Sequence, residues 1–239
     1  MTPSAGTLKV KIFADGADRA RMLELHANPA IQGFTTNPTL MRQAGVPDYE
    51  AFAKDILTSI TDRPISFEVF SDDFADMERQ ALKIAAWGSN VFVKIPVTNT
   101  KGESAAPLIR RLVKQGVQLN VTAIFTIAQI DEVVSALMGT RHSYVSVFAG
   151  RIADTGRDPM PFMRHAVEAC NRAGGMEVIW ASPREFLNIF QADEIGCHVI
   201  TVTPDIVKKL SGVGKDLGVF SLETVKMFFN DGAGAGFRL

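Results

Sequence analysis

Short apolar runs alternate with amphipathic stretches along the whole 239-residue chain. The runs near Leu8–Ala14, Ile31–Thr35, Ile65–Phe70, Val91–Val97, Gln118–Phe125, Tyr144–Phe148, Glu177–Ala181 and His198–Val202 read as eight strands. Several are apolar on both faces, as parallel strands covered by helices are. Helical patterns fill the gaps. "DYEAFAKDILTSI" sets Phe52, Ile56, Leu57 and Ile60 on one face. "DFADMERQALKIAAWG" opens with acids and stops at Gly88, and "TIAQIDEVVSALMG" stops at Gly139. "DPMPFMRHAVEACNRAGG" starts with a cap and prolines and ends on paired glycines. Eight strand–helix units with right-handed crossovers predict an α/β fold of the (β/α)8 TIM-barrel type, a single domain over residues 1–220. A doubly wound open sheet is the runner-up, but it has a phosphate loop after its first strand, where this chain has "FADGAD". After the eighth strand, "TPDIVKKL" reads as a short helix. Residues 221–239, "SLETVKMFFNDGAGAGFRL", read as an extra C-terminal helix ending in a flexible glycine-rich tail. "GAGAG" follows a helix with almost no chain after it, so it does not read as a dinucleotide loop.

Side chains alternate across a strand, so parity assigns faces. In "NVFVKIPVTNT", Phe92 and Lys94 share one face and Val91, Val93 and Ile95 the other. Glu68 goes with Ser66 and Phe70, and Asn120 with Thr122. Polar residues thus point together toward a barrel interior that is ordinarily filled by bulky branched side chains. Chemistry in such barrels collects at the C-terminal strand ends. There the chain carries Asp15, Asn37, Glu68, Lys94, Asn120, Thr122, Ser146, Arg151, Ser182 and Arg184. Taken singly, each has a plainer reading. Lys94 is a structural partner for Glu68, Asp15 a cap for the helix starting near Asp18, and Asn37 a turn residue before Pro38. Thr122 is a β-branched strand former, and Arg151 and Arg184 are surface charges. Their recurrence at comparable positions of successive strands favours a joint reading as a site.

Composition narrows the function classes. Hydrophobic residues are 46% and charged residues 21%, ordinary for a globular protein, and the net charge of −1 provides no bulk attraction to nucleic acid or an anionic membrane. Any anionic ligand must be held by local cations. Cys170 and Cys197 lack metal or redox spacing and read as buried thiols. "MTPSAGTLKVKIFADG" lacks the apolar core of a signal peptide, and no apolar run approaches a membrane span, so a cytoplasmic protein is expected. The four histidines are scattered, and no HExxH, P-loop or G-x-S-x-G motif occurs. The carboxylates of "DDFAD" are explained by a helix start without a metal, and the lysine chemistry that follows needs neither a metal nor another cofactor.

A lysine in apolar surroundings is the raw material for Schiff-base chemistry. The charged form of a desolvated amine is disfavoured, and the neutral form attacks carbonyls. The protonated imine then withdraws electrons, and a carbon–carbon bond can break without a metal. A general base must take the proton of the adjacent hydroxyl, and Asp15 and Glu68 are the candidates. Asn37, Asn120, Thr122 and Ser146 suit a polyhydroxy substrate, while Ser182, Arg151 and Arg184 suit a phosphate.

These motifs resemble the transaldolase family. The segments are "FADGAD", "GFTTNPT", "FEVF", "VFVKIPVT", "LNVTAIFTIAQ", "SVFAGRI" and "ASPRE", spanning Phe13 to Glu185 in the family's order. The resemblance implies that Lys94 is the Schiff-base lysine and Asp15 the acid–base residue of carbon–carbon cleavage. It makes Glu68 the proton shuttle, through a water held with Thr122. Asn37, Asn120 and Ser146 would bind the dihydroxyacetone part, and Arg151, Ser182 and Arg184 the phosphate. The related fructose 6-phosphate aldolases typically carry glutamine at the position of Glu68 and tyrosine at that of Phe148, so both residues here look like transaldolase. Pro183 stands where the family usually has phenylalanine. The resemblance further implies sugar-phosphate substrates and a homo-oligomer, a pentamer or decamer built on the C-terminal helix with Met227, Phe228 and Phe229. Packing of that helix on its own barrel is the alternative.

Overall fold

The computed structural model describes residues 8–238. Eight parallel strands close a barrel in sequence order, with β1 returning to β8. They are β1 (Lys11–Asp15), β2 (Ile31–Thr35), β3 (Ile65–Glu68), β4 (Val91–Pro96), β5 (Leu119–Ile124), β6 (Ser143–Val147), β7 (Met176–Trp180) and β8 (Val199–Val202). The helices of the first half are α1 (Arg19–His26), α2 (Pro38–Gln43), α3 (Tyr49–Ser59), α4 (Phe74–Ala85) and α5 (Ala106–Lys114). The second half adds α6 (Ile127–Ala136), α7 (Ala149–Ala153), α8 (Met160–Ala173), α9 (Leu187–Glu194), α10 (Pro204–Lys208) and α11 (Leu217–Gly234). The predicted (β/α)8 barrel is therefore the fold.

Parity divides the apolar side chains into two bodies. Val91, Val93, Ile95 and their counterparts on the other strands join the large core between the strands and the helices. Inside the barrel, Phe13, Phe92, Tyr144, Ile179 and Val199 form a separate plug. The Tyr144 ring lies 4.4 Å from Phe92 and 5.7 Å, edge-on, from Phe13. Gly33 makes room for the Phe13 ring, from which a Cβ there would sit 2.6 Å. The interior is thus packed by aromatics in its lower half, and the polar residues lie above them.

β2 keeps the ends read from the sequence, and no other strand end shifts by more than three residues. β1 starts at Lys11 rather than Leu8, because the Lys9 and Val10 amides donate to Asp193 instead of joining the ladder. Five helices begin at an Asp or Asn whose side chain accepts a backbone N–H: Asp18, Asn37, Asp48, Asp73 and Asp216. Each such cap contributes about 1 kcal/mol. The cap of α1 is Asp18 and not Asp15, which leaves the Asp15 carboxylate to the barrel interior.

The C-terminal segment departs most from expectation. α11 begins at Leu217, capped by Asp216, rather than at Ser221. It also runs through Gly232 and Gly234, so most of the glycine-rich stretch read as a flexible tail is helix. The helix stops where Gly236 takes a left-handed φ of 69°, the usual role of a glycine just past a helix end. None of its residues is buried. Leu217, Val219, Phe220, Leu222, Val225, Met227, Phe228 and Phe229 are all exposed.

Candidate active site

A cavity of about 360 Å³ opens at the C-terminal ends of the strands. Of the residues singled out from sequence, Asp15, Asn37, Glu68, Lys94, Asn120, Thr122, Ser146, Phe148, Arg151 and Ser182 line it. They come from β1, β3, β4, β5 and β6 and from the turns and short helices that follow β2, β6 and β7.

Lys94 sits in the wall with 7% of its surface exposed. Its Nζ donates to the Thr36 carbonyl at 2.8 Å and lies 3.3 Å from Glu68 Oε2. Glu68 and Lys94 are direct neighbours in the β3–β4 register, so the ladder itself brings carboxylate and amine together. Asp15 is half-buried, and desolvation raises its carboxyl above the usual range, while the Lys94 charge and a 2.8 Å hydrogen bond from Thr35 Oγ1 work against that rise. Thr35 Oγ1 also lies 2.5 Å from Thr201 Oγ1, which extends this polar chain to β8.

A second chain crosses the interior. Ser146 Oγ donates to Asn120 Oδ1 at 2.6 Å, and Asn120 Nδ2 donates to Ser66 Oγ at 3.0 Å. Asn120 is fully buried, and these bonds fix which edge of its amide faces the cavity. Thr122 Oγ1 is buried without a partner among the described residues. Such a hydroxyl is expected to bond water or a ligand. Asn37 Oδ1 is occupied in capping α2 through the Leu40 amide.

At the rim, Arg151 stands on α7 with its guanidinium carbon 5.3 Å from the centre of the Phe148 ring. It makes no ion pair among the described residues, although its charge is felt by the Asp154 carboxylate. Ser182 lies across from it at φ 56°, a left-handed conformation that is strained for a non-glycine residue. Ala123 is the other such residue among those described, at φ 62°, where the β5–β6 register slips beside Thr122. Both outliers line the cavity. Strain of about 1–3 kcal/mol at each is the kind found in ligand sites.

Arg184 is the exception to the sequence reading. It does not line the cavity. Its Nε and Nη2 hold Asp154, the C-cap of α7, at 2.8 and 2.5 Å, and Nη1 donates to the Ser182 carbonyl. The guanidinium is therefore satisfied outside the site, bracing the Ser182 loop against α7. Other lining residues escaped the sequence reading: Thr35, Thr201, Ala123 and Ala181. Thr35 and Thr201 carried a signal, since each follows its strand's interior parity from Gly33 and Val199.

The model of the transaldolase/fructose-6-phosphate aldolase family matches residues 12–235. A Dehalococcoides mccartyi protein named "Probable transaldolase" is 33% identical over 202 residues, 84% of this chain and 90% of the relative. A Thermoanaerobacter protein of the same name is 36% identical over 204 residues, 84% of this chain and 89% of the relative. Among solved structures, KGPDC from Streptococcus mutans has a TM-score of 0.59, covering 87% of this chain and 95% of that one. At 11% identity this is a likeness of fold alone. With the family model covering nearly the whole barrel and relatives matched over most of their length, the chain belongs to the transaldolase/fructose-6-phosphate aldolase family.

Proposed function

We propose that the protein is a transaldolase that moves a dihydroxyacetone unit between sugar phosphates through a Schiff base on Lys94. The observation that carries this reading is a buried amine in the wall of a polar cavity, 3.3 Å from one carboxylate, with a second carboxylate, Asp15, lining the same cavity. A binding barrel needs cations and amides but gives no reason for that cluster.

In this reading Lys94 passes its proton toward Glu68, attacks the ketone carbon of a donor such as fructose 6-phosphate, and expels water. Thr122, with its unpartnered hydroxyl, holds the water through which Glu68 works. Asp15 takes the C4 hydroxyl proton, the C3–C4 bond breaks, and its electron pair moves into the protonated imine. Glyceraldehyde 3-phosphate leaves, and dihydroxyacetone stays on Lys94 as an enamine. An aldose phosphate such as erythrose 4-phosphate accepts it by the reverse steps, and hydrolysis frees Lys94. Desolvation raises the Asp15 carboxyl above the ordinary aspartate range, which favours its taking up a proton during the reaction. Asn37, Asn120 and Ser146 bind the dihydroxyacetone hydroxyls, and Arg151 and Ser182 the phosphate.

Incubation with fructose 6-phosphate, with and without erythrose 4-phosphate, tests the assignment. Release of glyceraldehyde 3-phosphate only with the acceptor is the expected result. Acceptor-independent release with free dihydroxyacetone means an aldolase, and no turnover of any ketose phosphate means a binding protein. The bare apolar surface of α11 further supports assembly with other copies of the chain.

A further inference from the structure

The β2–β3 ladder ends in an unusual way. Thr36 N–H still donates to the Ser66 carbonyl at 3.2 Å. Continuing a parallel ladder would next bring the Glu68 N–H to the Thr36 carbonyl. Instead the Thr36 carbonyl accepts from Lys94 Nζ at 2.8 Å, and the Glu68 N–H donates to the Tyr49 hydroxyl at 2.6 Å. The same hydroxyl lies 3.2 Å from the Glu68 carbonyl. Tyr49 therefore stands in the place β2 vacates as it turns into Asn37 and Pro38.

Several features hold that hydroxyl in position. Tyr49 is the first residue of α3, fixed by the Asp48 cap, which accepts from the Ala51 amide. Its ring packs edge-on against Phe70 at 4.5 Å and Phe67 at 6.0 Å, with Trp87 at 6.0 Å. Burial raises its phenol above the ordinary tyrosine range, so it stays a neutral hydroxyl. Asp48, Glu50, Arg79 and Lys83 surround the outer side of the ring. The inner side meets Glu68, whose carboxylate faces Lys94 and, beyond it, Asp15.

We propose that Tyr49 is a positioning residue for Lys94. By satisfying the Glu68 backbone it lets the Thr36 carbonyl leave the ladder and hold the amine, and it fixes Glu68 at proton-transfer distance. This rests on the Schiff-base reading, and its test is separable from it. Tyr49→Phe keeps the ring and its packing and removes only the hydroxyl, leaving the Glu68 N–H without an acceptor.

Two measurements on the full chain decide. The first is steady-state turnover with fructose 6-phosphate and erythrose 4-phosphate. Misplacing a catalytic group by a fraction of an ångström predicts a kcat lower by about 10- to 100-fold with KM within about twofold. The second needs no sugar. Reductive methylation by formaldehyde and cyanoborohydride, mapped by mass spectrometry, should modify Lys94 at least about threefold more slowly than in the wild type, with exposed Lys54 as the internal control. A variant that melts lower but is unchanged in both overturns the proposal and leaves the transaldolase reading intact. If the wild type turns over no ketose, that reading fails, and the methylation ratio alone sustains or overturns the role of Tyr49.

Discussion

Gly150 and Ser182 approach so closely that a single methyl group tests the rim of the site. A Cβ on Gly150 would lie 1.5 Å from the Ser182 carbonyl oxygen and 2.6 Å from its carbon. Ordinary contact is about 3.5 Å, so in Gly150→Ala the two segments must part by about 2 Å. α7 carries Arg151 next to the mutated residue, and the displaced loop carries Ser182, so the two halves of the proposed phosphate clamp separate. A misplacement of 1 Å can lower turnover about 100-fold, which is about 2.7 kcal/mol of transition-state stabilisation. Overpacking adds about 1–3 kcal/mol of lost stability, a fall in Tm of several degrees for a chain of this size. The assay compares kcat/KM for erythrose 4-phosphate and for unphosphorylated erythrose as acceptors, alongside a thermal melt. The loss should fall on the phosphorylated acceptor. Equal losses for both, or an unchanged KM for the phosphorylated one, refute the assignment of the phosphate to the Arg151–Ser182 rim.

Asp15→Asn removes a carboxylate that burial disfavours; because its folded pKa is raised, the ionised group subtracts stability as pH rises above the ordinary value of 3.8. The variant should melt higher than the wild type at pH 7 while kcat falls about 100-fold or more, and a lower melting temperature with activity retained contradicts the role. In the wild type, the acid limb of kcat/KM should lie above 3.8, the ordinary aspartate value. At the opposite mouth of the barrel, burial alone would raise Glu177, but hydrogen bonds from His142 and Lys11 hold it down at about 2 against an ordinary 4.5. Its stabilisation is complete above pH 4.5 and lost as pH falls toward 2, so Glu177→Gln should destabilise by about 1–2 kcal/mol near neutrality, after discounting for the solvent around Lys11 and His142, and by little at pH 2. Urea unfolding at pH 7 and pH 2 measures both, and a pH-independent difference contradicts the linkage. Truncation before Leu217 should leave the barrel's circular dichroism intact and reduce the mass seen by light scattering; an unchanged mass contradicts assembly through α11.

The parts of the site that lay on strand parity were legible in the sequence. Phe92 and Lys94, Ser66 and Glu68, and Asn120 and Thr122 point inward because alternation leaves a strand no other choice. What parity could not supply was contact across long separations. Nothing around Arg184 announces that it will pair with Asp154, 30 residues earlier. The Tyr49 hydroxyl reaches Glu68 from the start of a helix 19 residues away, where the pattern records only one more aromatic on an amphipathic face. The close approach at Gly150 depends on where two loops meet, which no local signal encodes. The reading of α11 from Ser221 passed over the cap residue Asp216, and among three glycines in a row of alternating Gly and Ala only the structure shows that Gly236 ends the helix.

The central claim is that Lys94 forms a covalent imine with a ketose phosphate. Borohydride reduction in the presence of fructose 6-phosphate, followed by peptide mapping, tests it most directly. The account predicts one dihydroxyacetone-derived adduct, on the peptide containing Lys94, and none in Lys94→Met. An adduct on another lysine, or no adduct under conditions of turnover, contradicts it.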